Sequence, residues 1–156
     1  MKLIGEIEHR DDGWFAHCDL IGAWTQGKSL ADAKRALVDC VEALLDDRHV
    51  EVTLAEIAQD RRRCVVEVSA SDPAKLAQRL LAYQRGRHGL SLADVAERLG
   101  TDNRHAYARY ERGLSQPSLG KYVELLSAVA PELALTVRAP AAKPHALKAK
   151  RARKAS

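Results

Sequence analysis

The chain has 156 residues, of which 46% are hydrophobic and 29% charged, so it is long enough and apolar enough to bury a core. It has no run of about 20 apolar residues, which argues against a membrane partner. The acidic, alternating start MKLIGEIE is unlike a secretory signal, so we expect a cytoplasmic protein. Three cysteines without a C-x-x-C pair predict buried free thiols rather than disulfides or a zinc site.

The charge is divided unevenly along the chain. Residues 1–72 carry 9 Lys and Arg against 15 Asp and Glu, whereas residues 73–156 carry 16 against 6. Opposite net charges on the two halves predict different partners, with nucleic acid favoured for the basic half.

The first half reads as a small sheet with one helix. KLIGEIE alternates with Leu3, Gly5 and Ile7 on one face, and RDDG is a turn signal before a second strand, WFAHC. AWTQ is a short third strand. Ser29 opens a helix that ends near Asp46, and two further strands are expected at VEVT, as a short segment, and at CVVEVS, residues 64–69.

This half resembles the amino-terminal domain of the HicB antitoxin family. The resemblance covers residues 1 to about 70, and it departs from the family at Ile21-Gly22-Ala23, where many members have Pro-Gly-Cys. The matching elements are Asp12-Gly13, Trp14-Phe15, Asp19-Leu20-Ile21-Gly22, Thr25-Gln26-Gly27 and Ala33. The resemblance implies a small partial ribonuclease-H-like sheet that lacks the carboxylates of the nuclease.

A metal-dependent nuclease is the catalytic alternative for this half. Glu6 and Glu8 share a strand face, and Asp19 is a third carboxylate that a fold could bring near them. Metal-assisted hydrolysis needs several carboxylates converging in a pocket, whereas two glutamates on the outward face of a terminal strand are typical of a solvated edge. We therefore expect no catalytic residue, no metal and no cofactor.

Four short helices are predicted in the second half. Asp72-Pro73 begins the first, which ends near Arg87, and Ser91 with Asp94 begins the second, which Gly100 ends. Thr101 or Asp102 is expected to cap the third. The predicted inward stripes are Leu76, Ala77, Leu80, Leu81 and Gln84; Leu92, Val95, Ala96 and Leu99; and Leu119, Tyr122, Val123, Leu126 and Val129.

Residues 74–130 resemble the Cro/phage-repressor type of helix-turn-helix. The gap from Gly100 to Tyr110 is one residue longer than the commonest pattern of that type. The matching residues are Leu92, Val95-Ala96, Leu99-Gly100, Tyr110-Glu111-Arg112-Gly113 and Pro117-Ser118-Leu119. The whole chain is thereby expected to be α+β, with the small partial sheet and its one helix followed by an all-α helix-turn-helix domain.

The third of these helices has a basic side. On a helical wheel, Arg104, His105, Ala108, Arg109 and Arg112 fall within about 140° of arc, and the candidate DNA-binding residues are therefore Asn103, Arg104, His105, Ala108, Arg109 and Arg112. Arg104 is expected to bind guanine and Asn103 adenine, because both lie near the helix start that usually enters the major groove. Arg109 and Arg112 are expected to bind phosphate. Tyr110 is assigned to the core and Glu111 to a pair with a nearby arginine.

The remaining segments complete a three-part division of the chain. Residues 133–138, LALTVR, alternate like a strand, and the basic end of the chain is expected to be a disordered arm that attracts phosphate or has no function. The predicted parts are residues 1–70, which bind a toxin, residues 73–139, which bind DNA, and the tail, residues 140–156.

Together these features predict a HicB-type antitoxin of a type II toxin–antitoxin system. As the resemblance implies, it would mask a HicA-type toxin that cleaves messenger RNA, and repress its own operon by binding operator DNA as a dimer or tetramer. The alternative is a stand-alone helix-turn-helix regulator whose first half senses a ligand or mediates oligomerisation.

Overall fold

The structure is a computed structural model that describes residues 1–136. It contains five strands, one short 3-10 turn at Asp19–Ile21 and five α-helices within those residues. The strands are β1 (Leu3–Arg10), β2 (Gly13–Cys18), β3 (Ala23–Gly27), β4 (Val52–Gln59) and β5 (Arg63–Ala70). The helices are α1 (Leu30–Leu45), α2 (Pro73–Arg87), α3 (Leu92–Arg98), α4 (Arg104–Glu111) and α5 (Leu119–Val129).

The five strands form one antiparallel sheet in the order β3-β2-β1-β5-β4. In the central strand β1, Ile7 pairs with Ala16 of β2 and with Cys64 of β5, and all three are buried. Ile4, on the opposite face of β1, is 44% exposed. The period-two reading of β1 is therefore confirmed, although β1 lies at the centre of the sheet and not at its edge.

Strand β4 is longer than its sequence predicted. The pattern indicated a short segment at VEVT, but the strand runs over eight residues, and its pairing with β5 shifts between Glu56 and Ala58. A β-bulge places an extra residue in one strand and so breaks the alternation that identifies a strand in a sequence. Beyond Leu54, β4 is exposed, which removes the apolar signal as well.

The expectation of a small partial sheet followed by an all-α domain is wrong. The sheet has five strands, α1 lies between β3 and β4 in the chain, and one continuous cluster of buried side chains includes residues from Leu3 to Ala130. Helix α2 packs against the sheet side as well as against α4 and α5. The pattern of a single segment reports which of its faces is apolar, but not which other segments share the core. The predicted division of the chain near residue 70 stays a prediction.

Part-buried polar contacts join α2 to the 3-10 turn after β2. The Nε2 of Gln84 donates to the carbonyl of Leu20 at 2.8 Å, and the Nε of Arg79 donates to the carbonyl of Ile21 at 3.0 Å. Gly22 follows with a φ of +70°, and a Cβ there would lie 2.2 Å from the ring of Tyr83. Glycine is therefore needed at this position both for its backbone conformation and for the close approach of α2.

Most helix ends agree with the sequence analysis. Ser29, Asp72 and Ser91 are N-caps as predicted, and Ser118 caps α5. The cap of α4 is Asn103 rather than Thr101 or Asp102. Asn, Asp, Ser and Thr all favour this position, so composition alone does not choose among adjacent candidates.

Cys18 and Cys64 are buried free thiols as expected, Cys40 is half-buried, and burial raises the pKa of Cys18 to about 12.

The described part of the predicted strand at 133–138, residues 133–136, is not in a strand. The tail at 140–156 lies outside the described residues. Among residues 1–136, no helix is both long and apolar enough to cross a bilayer.

Candidate nucleic-acid interface

Helices α3 and α4 form a compact two-helix unit joined by residues 99–103. A reciprocal capping box begins α3, because the Ser91 hydroxyl accepts from the Asp94 backbone and the Asp94 carboxylate accepts from the Ser91 backbone. These hydrogen bonds hold the pKa of Asp94 below its ordinary value. Gly100, with a φ of +68°, ends α3, and the Thr101 amide donates back to the carbonyl of Ala96. A residue with a left-handed backbone conformation at the end of a helix turns the chain sharply, here towards α4.

The inward side of α4 is set by Tyr107, Ala108 and Glu111. Tyr107 is 1% exposed and Ala108 5% exposed. The carboxylate of Glu111 accepts two hydrogen bonds from Arg85 of α2, one from Nε at 2.7 Å and one from Nη2 at 3.1 Å. The predicted pairing of Glu111 with an arginine is confirmed, and the pair fixes how α4 is rotated about its axis.

The same contacts shift the pKa values of the groups behind α4. The Glu111 carboxylate raises the pKa of Arg85, and burial together with Glu111 raises the pKa of Tyr107 well above its ordinary value. Arg85 also donates from Nη1 to the carbonyl of Leu90 at 2.9 Å. A permanently charged guanidinium therefore links α2, the α2–α3 loop and the end of α4.

His105 and Arg109 lie on the outward side of α4, while Arg104 and Arg112 are exposed at its first residue and at its C-cap. The wheel placed Ala108 among them, but Ala108 is in the core, so it is not available to a base. A helical wheel centred on the charged residues alone takes no account of the contacts that α4 makes with other helices. The Arg85–Glu111 pair and the burial of Tyr107 turn the helix, so that a shorter basic strip remains outside.

Two of the predicted DNA-binding residues already have partners in the fold. The Oδ1 of Asn103 accepts hydrogen bonds from the amides of His105 and Ala106, both at 3.1 Å. Bidentate binding of adenine needs that oxygen as well as the amide nitrogen, so the cap and the base contact exclude each other. Arg109 donates from Nε to the Ser115 hydroxyl at 3.1 Å, which ties it to the α4–α5 loop.

An open groove of about 500 Å³ lies beside the start of α4. Arg104 lines it together with Glu97 and Asp102, and both acids are exposed. Carboxylates repel phosphate, so the phosphate backbone of a nucleic acid is expected on the side of His105 and Arg112. Arg104, at the edge of the groove and at the first residue of α4, stays exposed to a base edge.

Much of the positive charge of the second half lies outside the described residues. Residues 73–136 carry 9 Lys and Arg against 6 acids, whereas residues 137–156 carry 7 basic residues and no acid. The positive charge of the second half is therefore divided between the described residues and the end of the chain.

The three carboxylates considered for catalysis have separate partners. Glu6 pairs with Arg63 at 2.6 Å, Glu8 lies 3.4 Å from Arg10, and Asp19 lies 2.7 Å from Nδ1 of His17. In the part of the chain that the structure describes, no group of three or more His, Cys, Asp or Glu side chains is arranged to hold a metal ion.

Two residues assigned to the core of α5 lie outside it. Leu119 is 71% exposed and Val123 is 44% exposed, while Tyr122 and Leu126 are buried as predicted. The spacing of three and four placed Leu119 on the inward stripe, but it is the first residue of the helix and extends beyond the core. The missed signal is the apolar pair Leu125 and Ala128, which shifts the inward stripe away from Val123.

No protein-family model matches the chain, and no curated protein matches it. The contacts and charges of the α4 surface, together with the motif residues, therefore carry the proposal of its role.

Breaking the Arg85–Glu111 pair is expected to destabilise the fold. Arg85→Met leaves the Glu111 carboxylate, whose side chain is 11% exposed, without its cationic partner. The free energy of unfolding should fall by about 2–3 kcal/mol in urea titrations. The matched control is Arg35→Met on α1, where the arginine is 76% exposed and should contribute less than about 0.5 kcal/mol. Equal losses in the two variants would contradict the structural role of Arg85.

Proposed function

We propose that this chain is a HicB-type antitoxin that binds operator DNA through α4 and represses its own operon. The observation that carries the DNA-binding part is the arrangement of α4. Tyr107 and Ala108 anchor the helix in the core, while Arg104, His105 and Arg112 are exposed. A helix held in the core along one side, with an arginine exposed at each of its ends, is suited to the major groove, in the manner of helix-turn-helix proteins.

The roles of the side chains follow from their places on α4. Arg104 and His105 are at the end of the helix that enters the groove, so we assign them to base edges. Arg112 caps the opposite end and is assigned to phosphate. Asn103 and Arg109 are assigned to holding the helix and the loop, because their polar atoms are already bonded there.

Masking of a small basic toxin of the HicA type is the second part of the proposal. Residues 1–72 have six more acids than bases, and the exposed acids include Asp39, Asp46 and Glu51 on and after α1. A protein that grips RNA is cationic, so an acidic partner speeds the encounter and competes for the same surface. Occlusion of the toxin requires no catalytic group or cofactor in this chain, and we place the pair in the cytoplasm.

The alternative function is a stand-alone regulator that senses a ligand. The two functions differ in the gene context, because an antitoxin requires a neighbouring frame that encodes a small basic protein. Co-expression of that product with the full chain, followed by affinity purification, distinguishes the two functions. Recovery of a stable complex supports the antitoxin, and two proteins that purify independently support the regulator.

Arg104→Ala should weaken specific DNA binding while toxin neutralisation is kept. Removal of a bidentate interaction with guanine is expected to cost about 1–3 kcal/mol, or roughly 5- to 150-fold in the dissociation constant. Fluorescence anisotropy with the promoter fragment measures the affinity, and growth rescue from toxin expression measures neutralisation. Arg112→Ala should weaken binding to all DNA sequences by a similar factor, since phosphate contacts carry no sequence preference.

The control for both variants is Arg35→Ala, which removes the same charge from exposed α1. It should leave specific affinity within about twofold at physiological salt, because a distant exposed charge is screened. An Arg104→Ala protein that binds the promoter as the Arg35→Ala protein does would contradict the assignment of α4.

Deletion of residues 141–156 should flatten the salt dependence of DNA binding. These residues carry 6 basic side chains and no acid. For every phosphate that the shortened protein no longer neutralises, the slope of log affinity against log salt falls by about 0.9. Titrations between about 50 and 200 mM salt measure the slope, and an unchanged slope would mean that the tail does not touch DNA.

A further inference from the structure

One face of the sheet is uncovered within residues 1–136. Helix α1 packs on the opposite face, where Leu3, Ile7 and Cys64 are buried. The register of the strands brings alternate residues of β1, β2, β3 and β5 to the uncovered side, and each of them is at least part-exposed. We call this side the outer face, and its members include Ile4, Glu6, Phe15, His17, Trp24 and Val65.

Trp24, on edge strand β3, is the largest exposed side chain of the outer face. It is 60% exposed, and its ring stacks on that of His17, with 4.9 Å between the ring centroids and 12° between the ring planes. The Nδ1 of His17 donates in turn to the Asp19 carboxylate at 2.7 Å, since an ionised carboxylate only accepts. The Trp24 ring is therefore held in place before any partner binds, which lowers the entropic cost of association.

The groups around Trp24 favour a cationic partner. One face of its ring lies against His17 while the side chain stays 60% exposed, so the other face is open to a guanidinium or ammonium group. The Asp19 side chain is 52% exposed, and its partner among the described residues is His17 rather than a Lys or Arg. An aromatic face beside such a carboxylate is suited to a Lys or Arg side chain.

We propose that the outer face docks the proposed toxin, a small cationic protein, with Trp24 as the central anchor. This inference rests on the proposed masking of that toxin and deepens it by assigning the surface that the toxin covers. Ile4, which is 44% exposed on β1, and Val65 of β5 extend the apolar part of the contact across the sheet. A few aromatic side chains near the centre carry most of the energy of such interfaces.

Charge disfavours the other occupants of the outer face. Three of its glutamates already have cationic partners: Glu6 pairs with Arg63, Glu8 with Arg10 and Glu67 with Lys2. A nucleic acid would therefore meet no excess of positive charge there, and Asp19 beside Trp24 would repel its phosphates. Residues 1–72 have six more acids than bases, so two copies facing each other through this sheet would repel as well.

Binding kinetics of the full-length chain, with the purified basic protein encoded by the neighbouring frame, test the proposal. Trp24→Thr keeps a β-branched residue on the edge strand and removes the ring. Its affinity for that protein should fall at least about 30-fold, mainly through faster dissociation, as expected for a central aromatic anchor. Its circular dichroism and its affinity for promoter DNA should match wild type, because Trp24 is mostly exposed and lies on the sheet.

A pair of oppositely charged substitutions tests the charge of the occupant. Trp24→Glu and Trp24→Arg both remove the aromatic anchor, so the difference between them reports the charge of the partner. A cationic toxin should bind the Trp24→Arg chain at least about tenfold more weakly than the Trp24→Glu chain at about 50 mM salt, and the difference should shrink as salt rises. Equal affinities, or tighter binding by Trp24→Arg, would overturn the proposal.

Two controls lie away from the outer face. Leu119→Gln removes an apolar side chain that is 71% exposed on α5, and should leave toxin affinity within about twofold. Asp39→Asn removes an exposed charge on α1, and should slow association while leaving dissociation unchanged. A toxin complex that is lost in either control but kept in Trp24→Thr would move the docking surface to α5 or α1 and overturn the proposal.

The remaining outcomes distinguish this surface from the proposed function. A toxin complex that the Trp24 variants form as well as wild type refutes the surface and leaves the masking standing. A wild-type chain that forms no complex refutes the masking, and the surface with it, and leaves DNA binding standing.

Two further results would assign the outer face to another occupant and overturn the proposal. The first is self-association of the wild-type chain in sedimentation that Trp24→Arg abolishes while the toxin complex stays intact, which would indicate a second copy. The second is Trp24 fluorescence that changes when residues 141–156 are deleted, with toxin binding unaffected by Trp24→Thr, which would indicate the basic end of this chain.

Discussion

Helix α2 is the element on which the rest of the fold depends, because its polar side chains bond to structure on both of its sides. Gln84 donates to the 3-10 turn that follows β2, and the next residue, Arg85, is paired with Glu111 of α4. Gln84 is fully buried, and its Oε1 has no partner among the described residues. A buried polar atom without a hydrogen bond costs free energy, and the bond from the Nε2 of the same side chain to Leu20 offsets part of that cost.

The proposed activities follow from this position of α2. The Arg85–Glu111 pair fixes the rotation of α4, which buries Tyr107 and leaves a basic strip outside. On its other side, α2 packs against β5 and the 3-10 turn that follows β2. Residues 1–72, which include both, have the excess of acids proposed to meet a cationic toxin. A change that moves α2 would therefore disturb both surfaces, even though they face different partners.

Local signals in the sequence predicted most of the helices and strands. They failed where contacts with distant segments determine how a strand pairs or which side chains are buried. Ser29 and Ser91 cap helices through hydrogen bonds to residues three positions away, and Gly100 ends a helix through its own backbone conformation. These roles depend on neighbouring residues only, so the sequence predicted them. The full length of β4 could not be predicted from the sequence, because its bulge breaks the alternation of apolar and polar residues. The inward placement of Ala108 and the exposure of Leu119 depend on packing with α2 and with the core, which the spacing within one helix does not encode.

Unfolding followed by two probes tests most directly whether α2 joins sheet and helices into one cooperative unit. Both tryptophans, Trp14 and Trp24, are in the sheet, so their fluorescence reports on it, whereas circular dichroism at 222 nm reports mainly on α2–α5, where most helical residues lie. Urea titration should give coincident curves with one midpoint. Loss of helical signal at lower urea, with the tryptophan signal unchanged, would contradict the account.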